Sequence, residues 1–158
     1  MKMKIIKKTK NIKKADLLQG QTPWVYSDVV KKHFFHPQNF LKATEEKTFR
    51  FNAYGEAGSP ACGDLMKFWL WIDPKTEKIK KCRWRTFGCG SAIASTSMLS
   101  VMITEKGGMK IDQAQKIKPQ DIIKKLSGLP DIKIHCSVLG DQALKNAITN
   151  YHKAQSKK

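Results

Sequence analysis

The stretch Met66-Lys67-Phe68-Trp69-Leu70-Trp71-Ile72 alternates, with Met66, Phe68, Leu70 and Ile72 on one parity and Lys67, Trp69 and Trp71 on the other. A period of two marks a strand with one buried and one exposed face. Asp73-Pro74-Lys75-Thr76-Glu77 supplies the turn that follows. The chain then returns with Cys82, Trp84 and Thr86 on one side and Lys81, Arg83 and Arg85 on the other. Strand character extends from Phe49 to Phe87. On this reading Cys82 is a small core hydrophobe beside Trp84 and not a ligand. Trp69 and Trp71 fall outward near Lys81, Arg83 and Arg85. That juxtaposition fits cation–π stacking within the face, and it equally fits a docking patch for a partner, where exposed aromatic residues and Arg are enriched.

Outward from the hairpin the period becomes helical. Ser27 reads as an N-cap, with Asp28 in the first turn and Val29, Val30, His33 and Phe34 continuing a short amphipathic helix that Pro37 ends. His33 and His36 are read as packing or surface groups, since no cysteine lies near them in sequence. Ser91 to Ile103 is a helix rich in Ala, Ser and Met, broken by Gly107-Gly108. Shorter helices are expected from Ile111 to Gln115 and from Pro119, tolerated in a first turn, to Leu126. After Gly128-Leu129-Pro130 a last helix begins near His135, with Leu139, Ala143, Leu144, Ala147, Ile148 and Tyr151 on one face. The class is α+β: a small antiparallel sheet covered by helices.

The chain has 158 residues, which suits one domain, and an apolar fraction of 41%. Its net charge is +17, from 30 Lys+Arg against 13 Asp+Glu. Residues 1–22 read as a solvated, disordered basic tail, with a polyanion-binding arm as the alternative, and residues 23–155 as the folded domain. Basic charge brings nucleic acid into view, but no recognised nucleic-acid motif is present, so nucleic acid ranks low among partners. No apolar run follows the basic start, and none approaches the ~20 residues that span a bilayer. A membrane partner is therefore not expected. The tail favours Lys over the Arg and Ser of a mitochondrial presequence. The expected location is the cytoplasm, with the mitochondrial matrix as the alternative. In a reducing compartment the four cysteines, Cys62, Cys82, Cys89 and Cys136, are metal ligands or reactive thiols before they are disulfides.

Three segments carry the candidate chemistry: Ala61-Cys62-Gly63-Asp64, Thr86-Phe87-Gly88-Cys89-Gly90-Ser91 and Ile134-His135-Cys136-Ser137. Each cysteine sits where one regular element gives way to another. Flanking glycines let backbone approach a bulky anionic group and point N–H groups at sulfur. Cys136 stands near a helix N-terminus, which is expected to favour its thiolate. Three soft thiolates, with Asp64 and His135 as weaker neighbours, suit a [2Fe–2S] cluster, whose two irons need four terminal ligands. A hard carboxylate exchanges readily at such a soft site. The same set suits tetrahedral Zn²⁺, and without a Cys-x-x-Cys pair the spacing does not decide between metal binding and none. Cys136 beside His135 also raises a cysteine hydrolase, but adjacent residues rarely give the geometry of nucleophile and base.

The words around these residues resemble the U-type iron–sulfur scaffold family, IscU and the NifU amino-terminal domain. The resemblance runs from about Trp24 to Tyr151. It rests on Tyr26-Ser27 with His33-Phe34-Phe35 and Pro37, on Gly58-Ser59-Pro60-Ala61-Cys62-Gly63-Asp64, on Thr86 through Ser95, and on His135-Cys136-Ser137. It implies a three-stranded antiparallel sheet packed against several helices, of the SufE/NifU-like kind. It implies a scaffold, not an enzyme, on which a transient [2Fe–2S] cluster is built and passed to apo-proteins. A cysteine desulfurase would deliver sulfur, first to Cys136. Cys62, Cys89 and Cys136 become cluster ligands, Asp64 the residue that makes the site labile, and His135 the exchangeable fourth ligand or near neighbour, with Zn²⁺ able to occupy the cluster-free site. A zinc-binding sulfur acceptor or desulfurase regulator is the alternative function, and a basic nucleic-acid binder the remote one. Monomer and dimer stay open. Two features depart from the family. Its chaperone-recognition segment Leu-Pro-Pro-Val-Lys reads Leu129-Pro130-Asp131-Ile132-Lys133 here, so chaperone-assisted release is not carried over. The Lys-rich tail has no counterpart in the resemblance.

Overall fold

The computed structural model describes residues 26–61 and 63–157. The expected tail 1–22, Trp24 and the ligand candidate Cys62 lie outside the described residues. Three strands, β1 (Ala53–Ser59), β2 (Asp64–Ile72) and β3 (Ile79–Phe87), form one antiparallel sheet in the order β1-β2-β3. Among the described residues five α-helices accompany it: α1 (Asp28–Phe35), α2 (Gly90–Thr104), α3 (Ile111–Ala114), α4 (Pro119–Lys125) and α5 (Ile134–Gln155). The architecture is the expected α+β one.

The alternation along β2 is realised in full, with Met66, Phe68, Leu70 and Ile72 completely buried. Cys82 and Trp84 join them from β3, opposite Leu70 and Phe68. Cys82 is therefore a core residue, and burial pushes its thiol up, far from the thiolate a metal needs. In the turn, the Asp73 carboxylate accepts from the Lys75 amide at 2.9 Å and the Thr76 hydroxyl at 2.8 Å. The free edge of β3 is clamped by the segment before the sheet. Leu41 N–H donates to the Trp84 carbonyl at 2.9 Å, and the Trp84 indole donates to the Gln38 carbonyl at 2.7 Å.

The outer face corrects one expectation. The stacking partner of Arg83 is Phe49, 5.2 Å from guanidinium to ring centroid, and not a tryptophan. Trp69 instead faces Tyr54 across β1 and β2, with centroids 5.3 Å apart. Arg83 and Arg85 are drawn off by Glu45 and Glu46, each at 3.1 Å. The loop that supplies Phe49, Glu45 and Glu46 carries no periodicity, so its docking on the sheet was not visible in the pattern.

Two close approaches set the helices. On β1, a Cβ at Gly55 would stand 2.2 Å from the Ala147 nitrogen and 2.5 Å from the Ala143 oxygen. Only glycine lets α5 cross the strand that closely. α1 leans on the first turn of α2, where Tyr26 Oη meets Ser91 Oγ at 3.0 Å and the Phe34 ring lies against Gly90. His33 is the packing group it was read to be: its Nδ1 is 2.7 Å from Ser97 Oγ. His36 is exposed. In the segment of the departed family motif, Asp131–Lys133 coils into a 3-10 turn closed by Lys133 N–H on the Pro130 carbonyl at 2.7 Å.

Candidate metal and sulfur site

Three chain segments meet at one end of the sheet. Asp64 is the first residue of β2, preceded by Gly63 in the left-handed region (φ 72°). Cys89 caps the N-terminus of α2, directly after β3 ends. His135 and Cys136 occupy the first turn of α5. The topology thus gathers residues far apart in sequence because antiparallel β2 and β3 place the start of one beside the end of the other.

The polar atoms converge on Cys136. Its sulfur is 3.7 Å from Cys89 Sγ, 3.8 Å from Asp64 Oδ2 and 3.5 Å from His135 Nε2. His135 Nε2 and Asp64 Oδ2 are 3.8 Å apart. One donor atom from each of Asp64, His135 and Cys136 lies within 4.8 Å of the other two. Ligands at ~2.0–2.3 Å around one tetrahedral metal are separated by roughly 3.3–3.8 Å. The spacing therefore fits a metal ion without rearrangement, and Cys89 joins the group through its contact with Cys136.

The two thiols are not alike. Cys89 is half-buried, and burial works against its thiolate. The amides of Ala92 and Ser91 and the Ser91 hydroxyl outweigh that and hold it below the ordinary thiol range. Cys136 is fully buried, and burial pushes its thiol well up, reinforced by the negative charge at Cys89 and Asp64. Burial and neighbouring negative charge thus raise Cys136, against the expectation that the helix end favours its thiolate. The helix-end thiolate belongs to Cys89, at the start of α2.

Gly88 is the remaining constraint on shape. A Cβ there would meet Ala92 Cβ at 2.7 Å and the Asp64 carboxyl carbon at 3.2 Å. The Phe87-Gly88-Cys89 corner can pass beside Asp64 only without a side chain.

Residues 25–158 match the family described as NifU-like N terminal domain. The chain belongs to this family. Among relatives of this NifU-like domain, the nitrogen fixation protein NifU of Azotobacter chroococcum is 44% identical over 128 residues, 81% of this chain and 39% of that protein. The iron-sulfur cluster assembly scaffold protein IscU of Aquifex aeolicus is 41% identical over 126 residues, covering 80% of this chain and 75% of its own. The iron-sulfur cluster assembly enzyme IscU of Drosophila melanogaster is 36% identical over 158 residues, 99% of this chain and 98% of its own. The chain spans about two fifths of the NifU relatives it matches. The crystal structure of a nitrogen-fixing NifU-like protein (N-terminal) from Brucella abortus shares the fold with a TM-score of 0.59 at 12% identity, over 80% of this chain and 94% of that one.

Of the sequence-derived site residues, the structure of this NifU-like domain brings together Asp64, Cys89, His135 and Cys136, while Cys62 lies outside the described residues. Sequence reasoning missed two supports. The Phe34 ring against Gly90 braces the turn that holds Cys89, and Gly88 shapes the approach to Asp64. The glycine pair around Cys89 was the available signal for both. Among the described residues no helix is long and apolar enough to cross a membrane.

Proposed function

We propose that the protein is a scaffold on which a labile [2Fe–2S] cluster is assembled and then passed to apo-proteins. The observation that carries this is the meeting of three segments at Cys136, whose sulfur lies 3.5–3.8 Å from His135 Nε2, Cys89 Sγ and Asp64 Oδ2. Family membership supports it, as do relatives named for iron–sulfur cluster assembly. The cluster is cargo. Four terminal ligands are needed for its two irons. Cys62, Cys89 and Cys136 supply thiolates, and the fourth place falls to Asp64 or His135. An oxygen or imidazole in that place exchanges more readily than sulfur, which suits release.

Cys136 receives sulfur from a cysteine desulfurase, and Cys89, the more ionised thiol, stands beside it. The protein acts as a carrier and not as a turnover enzyme. The working unit is residues 23–155, with 1–22 as a basic tail. The cytoplasm is the location proposed, with the mitochondrial matrix as the alternative; relatives include proteins named as mitochondrial. Anaerobic incubation with ferrous iron, sulfide and a cysteine desulfurase is expected to give a visible chromophore that chelators or apo-ferredoxin remove. The Cys136→Ser variant is expected to give none. A wild-type protein that forms no cluster under these conditions overturns the reading.

The close set Asp64, His135 and Cys136 favours a second reading, a zinc-binding sulfur acceptor or desulfurase regulator. Stimulation of a desulfurase by the zinc-loaded protein, without any cluster transfer, would select it.

A further inference from the structure

The outer face of the sheet ends in a cleft that the thiol site does not use. Thr48, Phe49, Arg50, Trp71 and Lys81 line it, and its volume is about 390 Å³. Trp71 lies directly across from Lys81 in the β2–β3 register and is 37% exposed. Asp64 and Trp71 stand near opposite ends of β2, roughly 24 Å apart at the rise of a strand. The cleft is thus remote from Cys89 and Cys136.

Its charge is unspent. Glu45 and Glu46 neutralise Arg83 and Arg85. Arg50 and Lys81 have no ion pair with any described residue. The chain as a whole carries +17, so an anion is drawn to this surface from a distance. The anion must also cover an exposed indole. A chain of carboxylates would satisfy Arg50 and Lys81 and leave the Trp71 ring facing water. A nucleotide brings both parts in one repeating unit, a flat base for the ring and a phosphate for the cations.

We infer that this cleft binds single-stranded nucleic acid, with a base against Trp71, its phosphate between Arg50 and Lys81, and the Thr48 hydroxyl within the same lining. The inference is independent of cluster assembly, because neither face nor end of the sheet is shared with the thiols.

The test uses the full chain, so that the basic tail contributes equally to every measurement. Fluorescence anisotropy would follow labelled oligothymidylate, with inorganic polyphosphate and poly-glutamate as unlabelled competitors of matched charge. Oligothymidylate is expected to bind more tightly than either. Trp71→Ala is expected to weaken the oligonucleotide at least about fivefold while polyphosphate is unaffected. Arg50→Ala with Lys81→Ala is expected to reduce the slope of log affinity against log salt by about 0.7, the share of one phosphate. Equal affinity for polyphosphate and oligonucleotide, indifferent to Trp71→Ala, would reduce the effect to tail charge and overturn the inference. Poly-glutamate binding best would make the cleft an acidic-protein surface and also overturn it. Circular dichroism and zinc binding at the thiols check each fold. If Trp71→Ala unfolds, Lys81→Glu at an exposed position decides: unchanged oligonucleotide affinity in that variant overturns the inference as well.

Discussion

Cys89 and Cys136 hold their sulfurs 3.7 Å apart and are shifted in opposite directions, Cys89 toward thiolate and Cys136 toward thiol. The pair therefore sets a thiol that ionises more readily than usual beside one that holds its proton. Reactivity follows the thiolate. In reduced, chelator-treated protein at neutral pH, iodoacetamide is expected to label Cys89 well before Cys136, with Cys82 last. Peptide mapping by mass spectrometry reads the order and separates the Cys62 peptide. Cys136 labelled ahead of Cys89 would contradict the assignment.

Cys82 is expected to matter to the fold and not to the chemistry. Cys82→Ser places a hydroxyl in the buried core beside Leu70 and Trp84 and should lower stability by about 1–3 kcal/mol, with cluster formation retained. The pH dependence has a definite sign. The buried thiol keeps its proton in the native state, whereas the unfolded chain releases it above the ordinary value of 9.0. The native state then binds more protons, so stability falls as pH rises beyond about 9. Denaturant unfolding between pH 8 and 10.5 should show a shallower fall in Cys82→Ala than in the wild type.

The hairpin was legible because β2 obeys period two without exception from Met66 to Ile72, and because a one-sided sheet forces that pattern. α5 was legible because its buried residues recur at helical spacing. The gathering of Asp64, Cys89, His135 and Cys136 was legible only as three local motifs, since spacing along a chain does not give distance in space. Ionisation was the part that misled. A helix terminus is a local cue, but the pKa of Cys136 is set by burial and by two neighbouring negative charges from other segments. The Arg83 partner was missed for a like reason, because Phe49 arrives from an aperiodic loop.

Gly55 is the position where the fold and the site are joined. An added Cβ would meet backbone atoms of Ala143 and Ala147 at 2.5 Å and 2.2 Å, and backbone of a packed helix cannot swing aside as a side chain can. Gly55→Ala should destabilise by about 3 kcal/mol or more and displace α5, which carries His135 and Cys136. The check is a thermal unfolding scan with zinc titration. A variant of wild-type stability would show that α5 rides higher on β1.

The neighbour of Cys136 offers the opposite effect. Ser137 is fully buried, and its hydroxyl has no hydrogen-bond partner among the described residues. A buried hydroxyl without a partner is unfavourable by about 1–3 kcal/mol. Ser137→Ala should leave stability unchanged or raise it, by up to that amount, as read from the denaturation midpoint. A clear loss of stability would mean that the hydroxyl is bonded after all.

Asp64 bears on release. Its carboxylate is buried to within 8% and lies 3.8 Å from both Cys136 Sγ and His135 Nε2. It is the one hard oxygen donor in a set of thiolates and imidazole, and a hard donor holds a soft site loosely and is displaced first. Removing it has a further consequence in the same direction: it takes a negative charge from beside Cys136, which favours that thiolate as a ligand. Asp64→Ala is therefore expected to slow cluster loss to apo-ferredoxin several-fold, read as the decay of the visible chromophore under anaerobic conditions. Asp64→Asn, which keeps the shape and discards the charge, should fall on the same side. Faster decay in both variants would instead make Asp64 a ligand that retains the cluster.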